Sequence, residues 1–180
     1  MAIISDIADE SLRSQLILAV RGDEHAFARI VRTHHDDMTR VCFVICGDPS
    51  LADEAVQTAW AIAWRRLSTL RDPDRLRSWL ISIAANETRR LLRQRNRRSI
   101  VEISVSATDG AVDPGGRASD LDLANALARL SPEDRTILAW RYVAGFDSTE
   151  IGRATGRSAS GTRARLSRLL AQLRMDLSDD

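Results

Sequence analysis

Apolar residues return along the first half of the chain at steps of three and four, the period that gathers them on one side of an α-helix. Leu12, Leu16, Ile17 and Val20 make a short stripe that Gly22-Asp23 ends. Phe27, Ile30, Val31, His34, Met38, Val41, Cys42 and Ile45 continue the pattern as one long amphipathic helix, stopped by Gly47. Asp48 is placed to cap a third helix whose first position is Pro49, where the missing N–H costs nothing. That helix is expected to turn Leu51, Ala55, Ala59, Ile62, Ala63 and Leu67 inward. After a break at Leu70-Arg71-Asp72-Pro73, a fourth helix presents Leu76, Trp79, Leu80, Ile83 and Ala84 to the same core.

Periodicity is lost from about Ser99 to Ala118, where Ser, Thr, Asp, Gly and Pro collect. Such a length without pattern is too long for a compact interior and reads as a linker over 99–118. Ile100 to Val105 alternates and is expected to be extended but unpaired. Helical signals resume at Leu121. Ser131-Pro132-Glu133-Asp134 is a start signal with a hydroxyl cap, Pro at the first position and acids in the first turn, and its helix should run to Gly145. Asp147-Ser148-Thr149-Glu150 is a capping box for a short helix that Gly156 ends, and Ser158 can cap the last one. A short helix, a tight glycine turn and a longer Arg-rich helix make a helix-turn-helix. The expected fold is all-α: two small helical domains, 1–98 and 119–180, joined by a flexible acidic linker.

Composition narrows the function. At 44% hydrophobic and 28% charged the 180 residues are globular rather than disordered. No apolar run is long enough for a membrane span. Asp6, Asp9 and Glu10 stand where a secretory leader would carry positive charge. With two cysteines and no extracellular sign, the chain is expected in the cytoplasm. The net charge of +1 hides an uneven distribution. Residues 1–98 carry 16 Arg against 13 acids, 99–126 one Arg against five acids, and 127–180 nine Arg against seven acids. All basic residues are arginine, which forks bidentately onto phosphates and guanine edges, although a G+C-rich genome gives the same bias. No nucleophile motif, glycine-rich phosphate loop or paired-carboxylate site is present, so no catalysis and no cofactor are expected. Cys42 and Cys46 with His34 and His35 invite a metal reading. Cys42 and His34 nevertheless fall on the apolar stripe, and the close paired spacing of zinc ligands is absent.

Taken in order, several segments together resemble one family. Gly22-Asp23-Glu24-His25-Ala26-Phe27, then Ala52-Asp53-Glu54-Ala55-Val56-Gln57 with Trp60 and Trp64, then Trp79-Leu80-Ile81-Ser82-Ile83-Ala84-Ala85-Asn86 follow the second region of extracytoplasmic-function sigma factors. Leu127-Ala128-Arg129-Leu130-Ser131-Pro132 through Arg141-Tyr142, and Glu150-Ile151-Gly152, resemble the fourth region. The resemblance covers roughly 12–98 and 121–175. It implies a subunit that directs core RNA polymerase to promoters, is not an enzyme and often has an anti-sigma partner. A free-standing helix-turn-helix regulator is the alternative, but such a protein has no use for a docking helix followed by a melting loop.

The resemblance also implies roles. Asp53, Glu54, Gln57, Trp60 and Trp64 would dock core polymerase; helix pattern alone leaves both Trp equally open to a place in the core. Leu70, Arg71, Asp72, Arg75, Leu76, Trp79 and Asn86 would hold the melted minus-ten strand, which needs stacking surfaces and cations. The stripe position of Trp79 also favours partial burial. Arg89, Arg90 and Arg93 open a basic end, continued by Arg95, Arg97 and Arg98, that suits duplex phosphate. Arg157, Ser158, Ser160, Gly161, Thr162, Arg163, Arg165 and Arg168 would meet the minus-thirty-five element. Here the chain departs from the family, because Ser160-Gly161 occupies the place of the usual Gly-Thr. The base each residue reads is therefore left open.

Overall fold

The computed structural model describes residues 12–102 and 118–178, with side chains over 12–98 and 122–178. Among the described residues there is no strand. α1 covers residues 12–20, followed by α2 (Glu24–Cys46), α3 (Pro49–Arg66) and α4 (Leu76–Glu102). Short 3₁₀ turns at Leu67–Thr69 and Pro73–Arg75 connect α3 to α4. α5 (Ala118–Ala128), α6 (Pro132–Leu138), α7 (Ser148–Thr155) and α8 (Ala159–Asp176) form the second group.

α2, α3 and α4 pack pairwise into a bundle, with α1 along its edge. Ala52, Ala55, Val56, Ala59, Trp60 and Ala63 form the buried side of α3. This stripe is rotated from the expected one, leaving Leu51 and Ile62 only half-buried. The reason is that α3 is flanked by both α2 and α4, and its alanines let the two backbones come close. In α1, Leu16 and Ala19 are buried while Ile17 and Val20 are exposed, so the expected stripe there is corrected. A single edge helix buries only a narrow side.

The caps read from the sequence form as expected. Asp48 accepts from the Leu51 N–H, Ser131 from Asp134 and Ser158 from Gly161, and Asp23, not read as a cap, accepts from Ala26. Asp147 and Glu150 complete their capping box. Two stretches depart from expectation. α4 continues to Glu102, so Ile100 to Glu102 are helical rather than extended; 103–117 lie outside the described residues. No breaker interrupts this Arg- and Gln-rich stretch, and propagating a formed helix costs little. The helix expected to reach Gly145 instead stops at Leu138 and widens into a π turn, Ala139–Val143, in which Ala144 N–H reaches Ala139 O at 3.0 Å.

α7 and α8 form the helix-turn-helix. Gly156 joins them at φ 69°, a left-handed backbone that glycine takes without cost. Gly152 lets the turn fold back on α7: a Cβ there would stand 2.6 Å from the Arg157 carbonyl oxygen. α5 and α6 brace α8. The two groups of helices also pack on each other, α6 and the π turn lying against α2 while α6 touches α4, and their buried side chains form one continuous apolar cluster.

Candidate nucleic-acid interface

The cap at Asp48 and the alanine stripe fix how α3 is rolled, and that roll leaves Asp53, Glu54 and Gln57 exposed together. Trp60 is corrected from this face to the core. It is nearly buried, sits edge-on to Phe27 at 5.8 Å, and donates from Nε1 to His35 Nδ1 at 3.3 Å. Trp64 stays on the surface, 36% exposed and 4.8 Å from the Phe27 ring. With Glu24, Ala28, Val31 and Arg32 these rings line an open groove of about 510 Å³.

In the segment before α4, Arg71, Asp72 and Arg75 are exposed and Leu70 is half-buried. Asp72 shapes the loop, accepting from Asp74 N–H at 3.1 Å and pairing with Arg75 at 3.1 Å. Leu76 is 1% exposed and part of the bundle core, as its place on the apolar stripe implied, so its expected part in holding a strand is corrected. Trp79 is half-buried and lines a cleft with Leu70, Arg75 and Ser78. Two turns on, Asn86 is exposed and accepts from Arg89 Nη2. It lies in a depression that Ile62, Arg65, Arg66, Ile83 and Glu87 complete. Arg65 and Arg66 escaped the sequence reading because they close α3, where basic residues already suit the helix dipole.

The basic end of α4 is divided. Arg90 pairs with Glu87 at 2.6 Å and Arg95 with Asp48 at 2.7 Å. Arg90, Arg93, Gln94 and Arg97 line a groove. Arg89 is half-buried, its Nε has no hydrogen-bond partner, and burial pushes its pKa down.

At the start of α8, Arg157, Ser158, Ser160, Gly161, Arg163 and Arg168 are exposed. Two expected contacts are corrected. Thr162 is fully buried and donates to Ser158 O at 3.0 Å, so it holds the helix start. Arg165 is half-buried and clamps Asp134 on α6, Nε to Oδ1 at 2.7 Å and Nη2 to Oδ2 at 2.5 Å. Burial works to raise the Asp134 pKa, but the bonds from Arg165 and Ser131 and the charges of Arg165 and Arg157 hold it below the ordinary value. Cys42 is packed as a hydrophobe, and burial pushes its thiol up to about 12. Among the described residues no three of His, Cys, Asp and Glu are grouped to hold a metal.

A helical bundle with a basic helix end, followed by a helix-turn-helix, has the architecture of a DNA-binding transcription protein. Residues 30–98 match the family model of sigma-70 region 2, and residues 120–173 match that of sigma-70 region 4. The chain is 28% identical over 169 residues to the ECF RNA polymerase sigma factor SigL of Mycobacterium tuberculosis, covering 89% of this chain and 96% of SigL. It is also 28% identical over 182 residues to the probable RNA polymerase sigma factor RfaY of Xanthomonas campestris pv. campestris. That match covers 96% of this chain but 46% of RfaY, so the chain spans about half of that relative's length. CnrH, solved in complex with the cytosolic domain of CnrY, superposes with a TM-score of 0.70 at 25% identity, covering 94% of this chain and 99% of CnrH. The chain belongs to the sigma-70 family and is an extracytoplasmic-function sigma factor with regions two and four.

Proposed function

We propose that the chain acts as an alternative sigma factor: it binds core RNA polymerase through α3, holds the melted minus-ten strand with the loop before α4, and reads the minus-thirty-five element with α8. One observation carries this reading. A polar, exposed face on α3 (Asp53, Glu54, Gln57, with Trp64 beside it) and the strand loop with Trp79 and Asn86 stand on one rigid bundle. Aromatic groups flanked by polar ones make interface hot spots, and a half-buried indole with nearby guanidiniums suits an unstacked base. Arg90, Arg93 and Arg97 would follow duplex phosphate.

In this reading 1–98 dock and melt, 99–118 connect, and 119–180 bind the upstream element, with α4 carrying the first unit four residues further than its nominal end. Arg157, Ser160, Gly161, Arg163 and Arg168 are the available contacts of the reader helix, while Arg165 braces it. The chain works by binding rather than catalysis. No described helix is long and apolar enough to cross a membrane, and its place of action is the cytoplasm. A partner of the anti-sigma kind is part of this reading. The test is co-elution: a Glu54→Arg, Gln57→Ala variant should stay folded yet fail to travel with core polymerase through gel filtration. Undiminished co-elution would remove α3 as the docking helix.

A further inference from the structure

α2 buries a histidine on its apolar side. His34 is 6% exposed, yet its Nε2 has no hydrogen-bond partner. Burial first, and the Arg77 charge second, lower its pKa, so at pH 7 the ring is neutral and each nitrogen either donates or accepts. A buried nitrogen left in this state is destabilising until something completes the bond. His34 also lines a cavity of about 280 Å³ between α1, α2 and the start of α4. Leu12 and Leu16 of α1, Pro73 of the 3₁₀ turn and Leu76 of α4 give it apolar walls. The charged side chains around it are already paired. Arg13 Nη2 holds Asp74 Oδ1 at 2.7 Å. Arg77 donates from Nε and Nη2 to Asp37 Oδ2 on α2, at 2.9 and 2.8 Å, and from Nη1 to the Ala144 carbonyl oxygen. The cavity thus combines apolar walls, balanced charge and, in His34 Nε2, an open hydrogen-bonding position.

We propose that this cavity is a binding site for a small, uncharged, single-ring molecule whose one hydroxyl or N–H pairs with His34 Nε2. Size sets the class. An apolar cavity of about 150 Å³ takes up benzene, and pockets for drug-sized ligands begin near about 300 Å³. The space here admits a ring with one substituent and little more. Water is a poor occupant, because each molecule needs several polar partners and the leucines and Pro73 offer none. An ion would lose its hydration beside Arg13 and Arg77, which carboxylates already neutralise. A neutral ring with one polar group loses little, covers the leucines and completes the His34 bond. The site is independent of the contacts proposed above: none of its walls is assigned to polymerase or promoter, Leu76 having been returned to the core.

The test uses phenol as the probe and the full chain with ¹⁵N-labelled histidine. Long-range ¹H–¹⁵N spectra follow the ring nitrogens of the three histidines, His25, His34 and His35. Phenol should move the His34 Nε2 resonance saturably and leave the other two rings in place. In competition with phenol, benzene should bind about tenfold more weakly, the worth of one neutral hydrogen bond, and benzoate should have no effect. Leu12→Trp puts an indole into the cavity and should abolish the shift, with circular dichroism confirming the fold. A His34 Nε2 resonance that phenol does not move overturns the site, whether water or the chain's own residues fill the space. Benzene binding as tightly as phenol overturns the His34 contact. A folded Leu12→Trp chain that binds phenol as before puts the ring elsewhere and overturns the assignment.

Discussion

Replacing Arg165 with Ala decides between the DNA contact that the sequence suggests for this residue and the brace to Asp134 that the structure shows. The guanidinium holds both oxygens of Asp134, whose side chain is 10% exposed, while that of Arg165 is 34% exposed. Breaking a fully buried pair costs about 3–5 kcal/mol because a charge is left behind. Water reaches the Arg165 side of this pair and Ser131 still donates to Asp134 at 2.8 Å, which lowers the expected cost to about 2 kcal/mol. A domain of about 60 residues loses roughly 4–8 °C per kcal/mol, so calorimetry should show a fall on the order of 10 °C. A double-mutant cycle with Asp134→Asn isolates the pair. Since the folded Asp134 pKa is depressed, its contribution is full above the unfolded value and lost as pH falls through the folded one. The wild-type advantage should therefore be flat from pH 5 to 8 and shrink below about 4. Arg163→Ala is the contrast: it should leave the melting temperature unchanged and relax sequence preference on promoter duplex by about 1–3 kcal/mol. An Arg165→Ala chain of wild-type stability that loses duplex affinity would refute this reasoning and return Arg165 to the DNA.

Two other outcomes test the packing. Gly152→Ala should destabilise the helix-turn-helix, because its Cβ meets the Arg157 carbonyl at 2.6 Å; thermal melting at wild-type temperature would show that the turn yields. His34 is buried, and burial first, with the Arg77 charge second, lowers its pKa against the opposing pull of Asp37. The unfolded state then binds the proton more readily, so urea midpoints should fall as pH drops below about 6.5. The loss should vanish in His34→Gln; a loss of equal size in that variant would assign it elsewhere.

Helix number, order and caps were legible because each rests on local chemistry: Asp48-Pro49, Ser131-Pro132 and the box at Asp147–Glu150 fix their helix starts. The exposed polar face of α3 was legible for the same reason. Faces were less so where two neighbours compete for one helix. Trp60 shows this, since its burial depends on Phe27 and His35 of α2, and no spacing within α3 encodes them. Leu76 and Thr162 were assigned to DNA by motif position although their size and polarity suit packing and capping equally well. Asp134 looked like an acid placed for the helix dipole, and its partner lies 31 residues away. Arg77 carried the least signal, as a lone arginine near an apolar stripe whose partners are a distant acid and a backbone carbonyl. Long-range pairing of this kind is set by tertiary approach.

Run-off transcription on a promoter template, with core polymerase and this chain as the only sigma factor, measures the proposed function most directly. Permanganate footprinting of the same complexes locates the melted thymines. The chain with core polymerase should yield a discrete transcript and reactive thymines at the minus-ten element, and Arg71→Ala, Asn86→Ala should reduce both more than closed-complex binding. Promoter duplex binding by the chain alone, with neither transcript nor melting when core polymerase is added, would contradict the proposal and identify a free-standing helix-turn-helix regulator.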